Sequence, residues 1–134
     1  MNRQGRNTLL PETKQRLGKQ VAQAVPAGST LFLDAGSTVM AVATFLQGPH
    51  TVITTSLDIA QHFSDREDID LILLGGKWDP KQRLFAGSAT LSLLSRYRAD
   101  IAILGACAIH AELGLSAGKE ADAEVKRAML AASH

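Results

Sequence analysis

The 134-residue chain has a single cysteine, Cys107, so it forms no intrachain disulfide and nothing in it points to an oxidising compartment. Aromatic residues make up only 4% of it. That scarcity argues against a surface that stacks single-stranded nucleic-acid bases on Phe, Tyr and Trp. No apolar run approaches the ~18 residues that a bilayer-spanning helix needs. The opening M-N-R-Q-G-R-N lacks the apolar stretch of a secretory signal, so the cytoplasm is the expected location and no membrane partner is expected. A strong charge of either sign is missing as well. The net charge is +1, too little for a general field that draws the chain onto DNA. The charge is uneven: residues 1–25 carry five Lys/Arg against one Glu, and the remainder carries nine against twelve acids. A short basic arm on a faintly acidic body reads as a solvated entry segment.

What is present is ordinary for one globular domain: 46% hydrophobic and 20% charged residues, in a chain long enough to bury roughly two-thirds of its unfolded surface. Residues 1–9 are polar and expected to be disordered or a linker, leaving 10–134 as the domain. From Pro11 to Val25, Leu17, Val21, Ala24 and Val25 fall on one helical face, with Pro11 in the first turn and Pro26-Ala27-Gly28 as the stop. T-L-F-L-D then forms a strand ending at Asp34, and residues 38–46 a mostly buried helix. The unit repeats: T-V-I-T-T is a strand and S-L-D-I-A-Q-H-F a helix with Ser56 as N-cap. I-D-L-I-L-L is a third strand, and a looser segment follows around Trp78-Asp79-Pro80. Ser88 to Tyr97 reads as a helix and A-D-I-A-I-L-G-A as a fourth strand. Glu120 to Ala132 reads as an amphipathic helix with Ala121, Val125, Ala128, Met129 and Ala132 on one stripe.

Four apolar strands separated by helix-length segments predict an α/β fold, a mostly parallel sheet with helices on both faces. In such sheets ligands bind at the carboxyl ends of the strands. Each predicted strand ends in small or polar residues: Asp34-Ala-Gly-Ser-Thr, Thr54-Thr55-Ser56, Gly75-Gly76-Lys77 and Gly105-Ala-Cys107. Parallel strands gather all four clusters on one edge, where a pocket is expected.

Gly36-Ser37-Thr38 sits where a strand becomes a helix. Glycine permits the turn and close approach of an anion, and first-turn amides with two hydroxyls donate to phosphate or carboxylate oxygens. The competing reading is a plain helix cap. Neither a P-loop nor a dinucleotide-binding glycine pattern is present. Asp34, an acceptor when ionised, suits a hydroxyl or amine. An acid beside a donor-rich cradle thus suits a small phosphorylated polyol, while a helix-cap acid or a partner for a basic side chain remain open alternatives. Gly75-Gly76 marks either a close backbone approach or a tight turn. Lys77 reads as an exposed loop lysine, and Lys126, one turn after Asp122, as half of a surface ion pair. Glu120 suits a helix first turn, His110 an exposed loop, and Cys107 a buried small residue. No His, Cys and carboxylate spacing suggests a metal, and no cofactor is implied.

Taken in order, L-F-L-D-A-G-S-T, V-I-T-T-S-L-D-I-A, L-I-L-L-G-G, A-D-I-A-I-L-G-A and E-V-K-R-A-M-L resemble the effector-sensing domain of DeoR-family bacterial transcription regulators over about residues 10–132. The resemblance implies a fold similar to ribose-5-phosphate isomerase, glucosamine-6-phosphate deaminase and the coenzyme A transferases. It also implies a sugar phosphate or related metabolite as effector, a homo-oligomer, and repression of carbohydrate-catabolic genes. By the resemblance, Gly36, Ser37 and Thr38 match the phosphate-cradling loop. Asp34, Thr55, Ser56, Gly75, Gly76 and Gly105 match other parts of the pocket, and Lys126 a lysine of the closing helix. Thr55 stands where the family usually has Asn, and Cys107 where it usually has Asp. The family's winged helix-turn-helix is missing, so operator DNA is expected to be reached only through that domain. The family's last strands are also missing, so the domain is expected to be truncated at its C-terminus, with an exposed sheet edge that favours self-association. Two other classes stay open. An isomerase or deaminase would use Asp34, Glu120 or His110 as acid and base, but no second carboxylate is placed by sequence beside Asp34. The other is a scaffold whose pocket has decayed.

Overall fold

The computed structural model describes residues 11–105 and 120–133. Its frame is a four-stranded, fully parallel sheet made of β1 (Thr30–Leu33), β2 (His50–Thr54), β3 (Ile69–Leu73) and β6 (Ile101–Ile103). A two-stranded antiparallel hairpin, β4 (Lys77–Asp79) with β5 (Leu84–Ala86), forms a second sheet, bridged through Leu84 to Ser56 just beyond β2. The helices are α1 (Glu12–Ala24), α2 (Ser37–Phe45), α3 (Leu57–Phe63), α4 (Ser88–Leu94) and α5 (Glu120–Ala131). Strand order is β3-β2-β1-β6. The chain therefore moves outward from β1 to β3 and then returns to the other side of β1.

Burial on both faces explains the continuous apolar strands. Leu31 and Leu33 of β1 point into one core with Val52, Val39, Val42, Ile59 and Phe63, which brings α1, α2 and α3 onto that face. Phe32, between them, points into the other core with Ile53, Leu84, Leu94, Val125 and Met129, which brings the hairpin, α4 and α5 onto the opposite face. The alternation of a strand thus sorts neighbouring residues into two separate cores.

Several expected details differ. The Trp78-Asp79-Pro80 segment is not loose; it begins the β4–β5 hairpin, whose turn is held by Asp79 Oδ1 accepting from the amides of Lys81 and Gln82 at 3.0 and 3.2 Å. Pro11 sits at the N-cap of α1 rather than inside it. Leu17, expected on the buried face of α1, is 48% exposed, and Ala24 is exposed. The buried residues of α1 are Gly18 and Ala22. A Cβ at Gly18 would come within 2.6 Å of the Ala41 carbonyl carbon, so glycine lets α1 lie directly on the backbone of α2. Close approach of the two backbones, not apolar bulk, selects the face. On α5 the stripe also shifts: Ala123, Val125 and Met129 are buried, while Ala121 is exposed. Among the described residues β3 and β6 are the sheet edges, and beside β6 the Ala99 amide bonds to the Ala132 carbonyl at 3.0 Å, opening a parallel bridge to Ser133.

Placing a large side chain at Gly18 forces α1 away from α2. Gly18→Leu is expected to destabilise the domain by about 2 kcal/mol or more, as overpacking against backbone does, read as a lower urea midpoint. Lys19→Leu, one residue along on the exposed side, should leave the midpoint nearly unchanged.

Candidate functional site

The register brings Leu33, Thr54, Leu73 and Ile103 level across the sheet, so the residues that follow share one edge. The expected gathering of clusters there is met for their described residues, up to Gly105: Asp34 donates its amide to the Ile103 carbonyl at 3.0 Å, and Leu74 to Thr54 at 2.8 Å. The strand order reverses between β1 and β6, which makes that gap the topological switch point where open parallel sheets take ligands. Gly36 and Gly105 face each other across it; a Cβ on Gly36 would lie 4.0 Å from the Gly105 Cα.

Asp34 holds this gap together. It is completely buried, and its Oδ2 accepts from the Gly105 amide at 3.0 Å and from Lys126 Nζ at 2.9 Å. The alternative of a basic partner is therefore the one realised. Lys126 also bonds Asp122 Oδ2 at 2.8 Å, so the expected i,i+4 pair exists. It is not a surface pair, because Lys126 is only 5% exposed and bridges α5 to β1. A second carboxylate thus does converge with Asp34, delivered by the fold rather than by sequence proximity. Burial pushes the Asp122 carboxyl above its usual range despite the pull of Lys126. Burial also acts to lower Lys126, but Asp34 and Asp122 together outweigh it and hold the ammonium above the ordinary lysine value. Two carboxylates share one cation, and Asp34 Oδ1 and Asp122 Oδ1 are buried without a hydrogen-bond partner among the described residues.

The Gly36-Ser37-Thr38 turn opens α2. Gly36 has φ +121°, a conformation that side chains resist. Among the described residues no side chain caps the helix, so the plain-cap alternative is not realised by Ser37 or Thr38, and the first-turn amides have no side-chain acceptor there. From α1, Lys14 Nζ reaches Ser37 Oγ at 2.7 Å. A cation beside the positive end of a helix is electrostatically unfavourable unless an anion joins them. Lys14 escaped the sequence reasoning, although it lies one turn before Gly18 and so shares the α1 face that meets α2.

The remaining expected residues divide. Ser56 is buried and its Oγ accepts from the Ile59 amide at 3.2 Å, making it the N-cap of α3 as expected. Thr55 is fully buried; its carbonyl accepts from the Phe85 amide at 3.0 Å, and its hydroxyl has no partner among the described residues. Gly75 has open space around it, whereas a Cβ on Gly76 would collide with Thr90 Oγ1, so close approach to the neighbouring α4 and hairpin explains that glycine. Lys77 is exposed but lies on β4, not in a loop. Glu120 is the first residue of α5. Cys107 and His110 lie outside the described residues.

Between the hairpin and the start of α5 lies an open cavity of about 300 Å³, walled by Lys77, Trp78, Asp79, Gly87, Ala121 and Asp122 among others. It was not foreseen, because the hairpin that forms one wall was read as loose chain. Among the described residues no group of three or more His, Cys, Asp or Glu could hold a metal ion, and no helix is long and apolar enough to cross a membrane.

A parallel α/β domain with glycines and a helix N-terminus at its switch point has the architecture on which small-molecule sites are commonly built. A family model described as the DeoR C terminal sensor domain matches residues 10–134, and the chain belongs to that family. It is similar to the HTH-type transcriptional repressor GlcR of Bacillus subtilis, 38% identical over 127 residues, which cover 94% of this chain and 49% of that protein. It is similar to the glycerol-3-phosphate regulon repressor of Escherichia coli, 35% identical over 121 residues, 89% of this chain and 48% of that one. It is 32% identical over 118 residues to the HTH-type transcriptional regulator GolR of Listeria innocua, covering 87% and 46%. The chain spans about half the length of the curated relatives it matches.

Removing Lys126 leaves two buried carboxylates facing each other. Lys126→Met is expected to cost about 3–5 kcal/mol of stability, whereas Lys126→Met combined with Asp34→Asn and Asp122→Asn should recover much of it; urea denaturation at neutral pH checks both. The raised Asp122 carboxyl also sets a pH dependence. Its neutral form favours the fold below the ordinary aspartate value of about 3.9, and that contribution is lost as pH rises through the raised value. The stability difference between the native chain and Asp122→Asn should therefore decline as pH rises through that window, measured from pH-dependent urea midpoints.

Proposed function

We propose that this chain is the effector-sensing part of a DeoR-family transcriptional repressor of carbohydrate metabolism, and that its effector is a small phosphorylated sugar or polyol. The observation that carries this reading is the uncapped N-terminus of α2 at the sheet's switch point, with the Lys14 ammonium 2.7 Å from Ser37 Oγ. Amides of the first turn, the hydroxyls of Ser37 and Thr38, and Lys14 together form a donor set suited to a phosphate. Gly36 and Gly105 let the ligand lie close to the backbone. Asp34 and Lys126 hold those two loops in register, Thr55, Ser56, Gly75 and Gly76 belong to the same edge, and Cys107 follows Gly105 in sequence. The name of the Escherichia coli relative refers to glycerol 3-phosphate, itself a phosphate ester of a polyol.

In this reading the part of the protein outside this chain carries the winged helix-turn-helix, and operator DNA is contacted there. The protein works in the cytoplasm as a homo-oligomer. The effector shifts the arrangement of the DNA-binding parts only by as much as its affinity differs between the two arrangements. Because α1 leads into the domain and Lys14 touches the cradle, an anion bound there acts directly on the entry helix. Binding, not catalysis, is the role in this reading: the relatives are named as transcriptional repressors and regulators, and Asp34 and Asp122 each bond Lys126 in the bridge between α5 and β1.

A ligand that binds only the folded domain stabilises it by about 2.7 kcal/mol at a hundredfold excess over Kd. Melting temperature should therefore rise with glycerol 3-phosphate or a hexose phosphate and not with the unphosphorylated compounds. Ser37→Leu with Thr38→Leu should abolish the shift, and Lys14→Met should weaken binding about tenfold. A panel of phosphosugars that leaves the melting temperature of the native domain unmoved at millimolar concentration overturns the reading.

A further inference from the structure

Away from the cradle, β3 leaves a row of main-chain groups unpaired. Leu74 donates to the Thr54 carbonyl at 2.8 Å and Asp68 accepts from the His50 amide at 3.2 Å, so these residues bond toward β2. Alternation along the strand turns Asp70 and Ile72 the same way, and turns the amides and carbonyls of Leu71 and Leu73 outward. No described strand lies on that side. Such an edge is a template for another strand. Its side chains are apolar rather than protective: Leu73 is 40% exposed, Leu71 and Ile72 are half-buried, and no charge interrupts the three. At the opposite border the chain covers itself, since Ser133 bridges to Ala99 beside β6.

We propose that β3 pairs antiparallel with β3 of a second copy of this chain, joining two sheets into one across a two-fold axis at Ile72. The proposal rests on the reading above only for its homo-oligomer, and says where two copies meet. Outward-facing main-chain groups bond to each other, so Leu71 of one copy exchanges hydrogen bonds with Leu73 of its partner, and the reverse. Ile72 then faces its own counterpart in the close, non-hydrogen-bonded position. Leu71 packs on the first core and Ile72 on the second, so both faces of the joined sheet gain an apolar contact. Charge selects a second copy and the antiparallel direction. Asp65, Glu67, Asp68 and Asp70 precede or open β3, Lys77 follows it, and all five are exposed. Antiparallel pairing brings the acidic end of one copy to the Lys77 end of the other, with Glu67 opposite Lys77. Parallel pairing sets acids against acids. A self-complementary contact of this kind closes at two copies. It is small, so the chain alone is expected to associate in the micromolar range.

Sedimentation equilibrium of the chain should show monomer and dimer exchanging. Leu73→Lys puts a charge into the seam at an exposed position. It should leave a monomer at concentrations where the native chain is dimeric, with the far-ultraviolet circular dichroism unchanged. Lys77→Glu should weaken the dimer about fivefold, and Glu67→Lys combined with it should restore the dimer. In a Cys107→Ser background, Ile72→Cys should form a covalent dimer on mild oxidation, because Cα atoms in that position lie about 4.5 Å apart. Asp70→Cys, on the same face but displaced along the strand, should not. The phosphosugar melting shift of the native chain judges the cradle alone, and Leu73→Lys should retain it. A lost dimer with the shift intact, or the reverse, therefore tells the two failures apart. A native chain that stays monomeric at millimolar concentration, a Leu73→Lys variant that dimerises like the native chain, or Asp70→Cys cross-linking as readily as Ile72→Cys would each overturn the proposal.

Discussion

The ammonium of Lys126, lying between Asp34 and Asp122, is the interaction on which the geometry of the strand edge depends. Burying an ion costs several kcal/mol unless its partners are well placed. Here Lys126 sits 2.9 Å from one carboxylate oxygen and 2.8 Å from another. The bridge ties α5 to the end of β1, and the Gly105 amide on the same Asp34 oxygen ties β1 to the end of β6. Three elements distant in sequence are thus held at one point by charge. That point is the gap where the sheet's order reverses, so the polar anchor and the candidate ligand edge coincide.

Around this anchor the two faces are built differently. On one face α2 carries five successive buried residues, Val39 to Ala43, because the sheet covers one side of it and α1 the other. Gly18 lets α1 approach so closely that Lys14, one turn earlier, arrives at the start of α2. On the other face the hairpin, α4 and α5 bury Phe32 and Ile53 fully, and the space left between hairpin and α5 is the cavity beside Asp122. Tight backbone contact on one side and an open seam on the other follow from where glycine and the charged triad fall.

A sensor needs a bound ligand to change the relation between elements, since a ligand with equal affinity for two states shifts nothing. The proposed cradle is shared by α1 and α2, so a ligand bound there would join the entry helix to the edge that the Lys126 bridge holds.

Local pattern was enough for most of the fold. Continuous apolar runs ending in small residues marked the four parallel strands, Ser56 announced the cap of α3, and Asp34-Ala-Gly-Ser-Thr marked the turn into α2, because each depends on residues adjacent in the chain. The family, too, was legible from the order of those motifs. The hairpin was missed because strands of three residues each carry too little alternation to register against a polar turn. The buried face of α1 was misjudged because apolar periodicity favoured Leu17, whereas close packing on Ala41 chose Gly18. That Lys126 is buried, that Asp122 joins Asp34, and that Lys14 meets Ser37 were decided only by tertiary structure. Each joins residues on different elements, and burial of a charge depends on what surrounds it in space, which adjacency along the chain does not encode.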